Sequence, residues 1–237
     1  DDQLLAMARD DDLPPNVRAK ALSLADDEAL ESTVQQVYRE LVQRAPDDWT
    51  TLSYYLEFLK ERKDYQAIVE RVVPWIEHDG RSSTGFDSLK ARVTLSNALL
   101  AQGKKQEAWS TLKDVIGSDY GMVLRQGVKV LSALGDDEKA TQLALHAVER
   151  YPSSLNSLTG LLEVLWRQKA SDDAARLLKQ WPHRISEADW RWTVGDSFAR
   201  QFGDRPKEAE QAFGALIRAG VDPWSLQGIA AAIANRG

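Results

Sequence analysis

The side chains that could carry chemistry in this chain are few, and their spacing does not suit it. Three histidines, His78, His146 and His183, stand far apart in sequence and form no His-x3-His pair of the kind that holds a metal ion on one helix face. Asp10, Asp11 and Asp12 are consecutive, whereas a calcium loop alternates its oxygen ligands and ends on a distal Glu; the run reads better as capping charge for a following helix. Cysteine is absent, which removes disulfides, thiolate zinc sites and cysteine nucleophiles. No Gly-rich phosphate loop, nucleophile elbow or paired-carboxylate motif occurs. No metal or cofactor is expected, and the chain is expected not to be an enzyme.

Composition narrows the partners. The 237 residues are 43% apolar, enough for a substantial core, and carry a formal charge of −6 with a pI near 5.2. Phosphate binding is built from Lys and Arg in excess on one face, so nucleic acid is not the expected partner. No apolar run approaches the roughly 18 residues that span a bilayer, and no signal peptide opens the chain. The first residue is Asp1, so the sequence reads as a piece of a longer protein, cut at both ends.

The elements that would position any site are helices. Pro and Gly punctuate the chain at regular intervals, and apolar residues between them recur at helical spacing without β-type alternation. Residues 3–9 and 17–25 read as helices on either side of an Asp–Pro turn. Val34, Val37, Tyr38, Leu41 and Val42 form the next stripe, and Leu52, Tyr55, Leu56 and Leu59 mark a helix over 49–62. Its partner covers about 64–77, with Pro74 expected to bend or shorten it. Residues 78–86 read as a loop. Later pairs occupy 158–178 and 190–219, and a final apolar helix runs from Trp224 to about Ala234 with no partner of its own.

An alanine opens each second helix, at Ala67, Ala108, Ala140, Ala174 and Ala209, so the intervals are 41, 32, 34 and 35 residues. The 78–86 loop accounts for the one long interval. This periodicity is the strongest signal in the sequence. With the Gly-x4-Ala spacing at Gly103–Ala108 and Gly135–Ala140, and Pro152 twelve residues after Ala140, it resembles the tetratricopeptide repeat family over roughly residues 30–237. The match is degenerate: Ser96 and Leu162 stand where Gly or another small residue is usual, Lys169 replaces a turn Gly, and the 203–209 turn is longer than the others by one residue.

The resemblance implies an all-α, right-handed superhelical solenoid of antiparallel helix pairs. Residues 1–29 would be a partial repeat and 30–237 the array. It also implies that the first helix of each pair lines a concave face. That places Ser53, Glu57 and Lys60; Lys90, Asn97 and Leu100; Arg125, Lys129 and Ser132; and Asn156, Thr159, Glu163, Trp166 and Arg167 on the groove. Such a mixture suits a peptide segment or an acidic protein surface. Of the eight tryptophans, Trp49, Trp75, Trp109, Trp181, Trp190, Trp192 and Trp224 are expected mostly in the core, and Trp166 toward the groove, where a ring could stack on a glycan.

The resulting expectation is a scaffold that docks another protein, in the setting of a bacterial envelope assembly or polysaccharide secretion system, with the periplasm favoured. The competing expectation is a repeat domain that holds a glycan or peptide substrate for an attached enzyme.

Overall fold

Helix starts and stops follow from local chemistry. In the computed structural model, which describes residues 2–25, 30–79, 85–180 and 187–234, Asp48 accepts hydrogen bonds from the Thr50 amide (2.9 Å) and the Thr51 hydroxyl (2.5 Å). Asp136, Ser154 and Asp222 likewise accept the amides of Lys139, Ser157 and Ser225. Each satisfies a donor that the first helical turn leaves open. Pro15 and Pro206 sit in first turns, where the missing amide costs nothing.

The stops repeat one motif. Lys63, Gly103, Gly135 and Lys169 all have positive φ, between 57° and 79°. At each, the following amide reaches back five residues: Asp64 to Leu59, Lys104 to Leu99, Asp136 to Leu131 and Ala170 to Leu165, all at 2.9–3.0 Å. This is the Schellman closure, which favours glycine because a Cβ crowds the left-handed region. The hairpin turn is thus the same at every one of these repeats even where lysine has replaced glycine.

The chain forms two compact units, Asp1–Thr111 and Leu112–Gly237. The first contains α1 (Asp2–Arg9), α2 (Pro15–Leu22), α3 (Glu31–Arg44), α4 (Trp49–Glu61), α5 (Tyr65–Asp79), α6 (Phe86–Ala101) and α7 (Lys105–Ser110). The second contains α8 (Gly121–Leu134), α9 (Asp137–Arg150), α10 (Leu155–Arg167), α11 (Ser171–Gln180), α12 (Glu187–Phe202), α13 (Pro206–Arg218) and α14 (Pro223–Ala234). Among the described residues there is no strand, and no helix is long and apolar enough to cross a membrane.

Inside each unit the helices pack mainly on their next and next-but-one neighbours. This is the stacking of a helical repeat, in which each hairpin buries its apolar face only against the adjoining hairpins. In the second unit α8, α10, α12 and α14 form one row. Ala108, Ala140, Ala147, Ala174 and Ala209 are buried, which lets helix backbones approach. In the first unit Tyr38 is sealed among Tyr55 and Phe58, and its hydroxyl donates to the Ala19 carbonyl at 3.2 Å.

Two local expectations are corrected. Asp11 does not cap α2: its carboxylate takes Arg18 (2.7 Å) and Arg44 (2.5 Å), whose guanidinium groups hold its pKa below the usual range, Arg44 most strongly. Arg18, itself buried, also donates to the Ala8 carbonyl at the end of α1 (2.7 Å), so the Asp–Arg pair ties the first three helices together. Pro74 does not shorten α5, which runs through it to Asp79. The helix opened by Ala108 is short, because the hydroxyls of Ser96 (3.0 Å) and Thr111 (2.8 Å) both occupy the Ala108 carbonyl and compete with its place in the helical ladder. The final helix, α14, packs closely on α12 and buries Ile229 and Ser225. Most of the expected 78–86 loop, together with Trp181 and His183, lies outside the described residues, as do the side chains of Trp190 and Trp192.

Candidate partner-binding cleft

The row of α8, α10 and α12 lines an open cleft of about 540 Å³ in the second unit. Its α8 wall carries Arg125, Lys129 and Ser132, spaced so that four- and three-residue steps bring all three to one helix face. The opposite face of α8, with Val123, Leu124, Val130 and Leu131, is buried. On α10 the cleft meets Asn156, Thr159, Gly160, Glu163 and Arg167, again in helical steps, while Leu158, Leu161, Leu162 and Leu165 face inward. Arg200 and Gln201 of α12 close the third side.

The entry to α8 is held from α9. Asp119 adopts φ 57°, its carbonyl accepts the Tyr151 hydroxyl at 2.6 Å, and its carboxylate lies 2.7 Å from the His146 Nε2. These bonds fix where α8 begins and hence where Arg125 and Lys129 project.

The charges inside the cleft differ in how far they are already satisfied. Arg167 donates through Nε to the Asp137 carboxylate (3.1 Å) and through Nη2 to the Ser132 hydroxyl (2.7 Å), with Nη2 also 2.9 Å from the same carboxylate in an ion pair. Those bonds fix the guanidinium plane and brace α10 against α8 and the start of α9. Arg200 lies 3.4 Å from Glu163 and 3.0 Å from Asp196. Burial raises the Glu163 pKa above its ordinary value and Asp196 adds to the rise, against the opposing pull of Arg200, Lys129 and Arg167. Arg125 is exposed and makes no ion pair or hydrogen bond among the described residues.

Of the residues placed on the groove from sequence, Arg125, Lys129, Ser132, Asn156, Thr159, Glu163 and Arg167 all line this one cleft. Trp166 does not. It is 1% exposed and packs edge-on against Phe198 (5.3 Å) and Phe202 (6.4 Å), because α12 lies over the side of α10 that the repeat spacing had left open. Trp49 and Trp75 are core rings 4.9 Å apart, as expected, while Trp109 is half-buried and Trp224 is exposed.

The candidates of the first unit are engaged within their own helices. The Ser53 hydroxyl donates to the Thr50 carbonyl, Glu57 pairs with Lys60 at 2.8 Å, Lys90 pairs with Asp87 at 3.1 Å, and Asn97 donates to the Val93 carbonyl at 3.1 Å. Leu100 is half-buried. Sequence reasoning missed Arg200 and Gln201. The available signal was the Asp196–Arg200 step on the side of α12 opposite its apolar stripe. His78 and His146 each lie beside a single Asp, and no group of three or more metal-ligating side chains occurs among the described residues.

The stack of helical hairpins is a fold that this chain shares with solved tetratricopeptide repeat proteins. A tetratricopeptide repeat protein from Parabacteroides merdae ATCC 43184 shares the fold at a TM-score of 0.61 and 9% identity, over 99% of this chain and 91% of that one. TTC0263, a thermophilic TPR protein of Thermus thermophilus, does so at 0.52 and 16%, over 85% and 95%. No protein-family model and no curated protein matches the chain by sequence.

Proposed function

We propose that this chain is a protein-interaction scaffold whose docking surface is the α8–α10–α12 cleft. The observation that carries the reading is the convergence of polar side chains from three successive helices on one cavity, with their apolar faces turned into the core. The tetratricopeptide-type fold supports it, since stacked hairpins gain extended surface for contact without building a catalytic constellation. The glycan reading loses the residue that motivated it, because Trp166 is sealed from solvent.

The test uses Gly160, which lines the cleft on α10 and where an added Cβ meets nothing within 4 Å. Gly160→Tyr should fill the cavity without disturbing the helix. Partner capture by the wild-type chain should be lost in this variant and kept in Lys113→Tyr, an exposed position outside the cleft. Capture unaffected by Gly160→Tyr would rule the cleft out as the docking surface.

A further inference from the structure

We infer that this chain pairs with a second copy of itself through the slot between α9 and α11, with Leu145 of each copy seated against Leu161, Leu165 and Leu177 of the other and the two α11 helices antiparallel. The inference concerns the second helices of the hairpins and does not depend on the cleft being the docking surface.

Shape is the first argument. Between α9 and α11 lies an open slot of about 350 Å³, with Thr141 and Leu145 on one wall and Asp173, Arg176 and Leu177 on the other. Leu161 and Leu165 of α10 are its floor, and neither of them lines the cleft. The polar group at one end is already spent: the Thr141 hydroxyl donates to the Asp137 carbonyl at 2.9 Å and accepts from the Gln168 Nε2 at 2.8 Å. What the slot leaves for a partner is apolar surface. Leu145 is 47% exposed at its lip. One patch therefore holds both a hole and a knob of leucine size, and a two-fold contact requires both of the same patch.

Charge decides the partner. Asp173 stands in the first turn of α11 and Arg176 follows one turn later, paired with it along an exposed helix face. Such a pair binds its two charges only weakly, so both remain open to a second contact. A partner of a single sign would meet like charge at one end of the slot. The match is an apolar segment that carries the same two signs in reverse order, and α11 of a second copy, run antiparallel, has that order. The two residues are about 4.5 Å apart along the axis at about 1.5 Å per residue. Antiparallel copies centred between them place each acid opposite a base, twice per dimer. The contact is small, because α11 has ten residues and is only about 15 Å long. Contacts of this extent belong with weak, reversible interfaces, and a Kd of about 10–100 μM is expected.

The test is sedimentation equilibrium of the whole chain from about 5 μM to about 1 mM. The mass should rise from 26.5 kDa toward twice that value. Leu145→Asp, an exposed position, should weaken pairing about tenfold or more while circular dichroism stays that of wild type. Asp173→Lys and Arg176→Glu should each abolish pairing alone, because each leaves α11 with one sign at the slot. Mixed in equal amounts, these two variants should pair with each other, since every lysine or arginine then faces a carboxylate; their recovery also shows that both are folded. A wild-type mass of 26.5 kDa at about 1 mM would overturn the inference. So would a dimer that persists in Leu145→Asp, which would use another surface, or a mixture of the two charge variants that stays monomeric. A monomeric chain whose Leu145 and Leu177 methyl NMR signals shift with a leucine-rich amphipathic helical peptide would give the slot to a different protein and overturn the second copy.

Discussion

Arg200 of α12 holds the carboxylate of Glu163 on α10 at 3.4 Å, on the floor of the cleft. The pair couples two successive repeat helices through charge, where the rest of their interface, Trp166 against Phe198 and Phe202, couples them through apolar contact. Its weak point is the acid. Burial raises the pKa of Glu163, so the folded protein binds this proton more tightly than the unfolded chain does. The ionised form therefore costs stability above the raised folded pKa, and that cost fades as pH falls through it toward the unfolded value. Asp196, Arg200, Lys129 and Arg167 are the charges that bear on it. A carboxyl NMR titration should place Glu163 above an ordinary glutamate. Glu163→Gln should be more stable than wild type at neutral pH, with the difference shrinking in acid; a normal titration midpoint would contradict this.

Arg167 should matter through geometry more than through charge. Its guanidinium bridges Asp137 and Ser132 at fixed angles, which a lysine ammonium cannot reproduce. Both ends of the ion pair are partly solvated, so a loss of only about 1 kcal/mol is expected for Arg167→Ala. Arg167→Lys should recover little of it in urea unfolding. Full recovery by lysine would mean that only the net charge counts.

Replacing Lys63 or Lys169 by glycine should stabilise the fold. Both residues hold positive φ in the same Schellman closure that Gly103 and Gly135 make. A non-glycine residue in this region costs about 1–2 kcal/mol, part of which is returned by its smaller entropy in the unfolded chain. A net gain of about 0.5–1 kcal/mol per site is expected in urea or thermal melts. The reverse change, Gly135→Ala, should cost about 1 kcal/mol by the same reasoning.

That same turn explains how much of the fold the sequence could reveal. Periodic alanines and Gly turns are local signals, and they located the hairpins because each hairpin closes with its own atoms. Lys169 in a glycine position did not disturb the reading, since five-residue spacing to Ala174 survived. Arg125, Lys129, Asn156 and Glu163 were legible for a related reason: helical phase fixes which face a residue joins once the apolar stripe is known. Trp166 was not legible, because its fate depends on Phe198 and Phe202, more than thirty residues on. Arg200 was hidden likewise, its place in the cleft being set by packing of α12 on α10. The shortness of α7 depended on Ser96 reaching the Ala108 carbonyl from another helix, which no window along one helix contains.

Trp166→Ala therefore separates core from groove. A buried indole that touches two phenylalanine rings leaves a large cavity when removed, and a loss of about 3–5 kcal/mol is expected. The buried Nε1 makes no hydrogen bond, so Trp166→Phe should be far milder than Trp166→Ala. Retained stability in the alanine variant, with a selective loss of ligand binding, would return the ring to the groove.

Two helices of the second unit meet at glycine. A Cβ built on Gly195 of α12 would lie 2.3 Å from the carbonyl oxygen of Gly228 and 3.2 Å from the Cβ of Ala232, both on α14. Neither atom can rotate away, so Gly195→Ala has to push α14 outward. The alanine raises helix propensity by about 1 kcal/mol in α12, but it opens gaps beside Ile229 and Ser225, which are fully buried. The packing loss wins, and a net cost of about 1–3 kcal/mol is expected. Because α14 packs mainly on α12, the damage should be local. Hydrogen exchange should speed up across α14 while α8 to α10 keep their protection, and the cleft should bind as before. Uniform loss of protection across the unit would show instead that α14 is integral to its cooperative core.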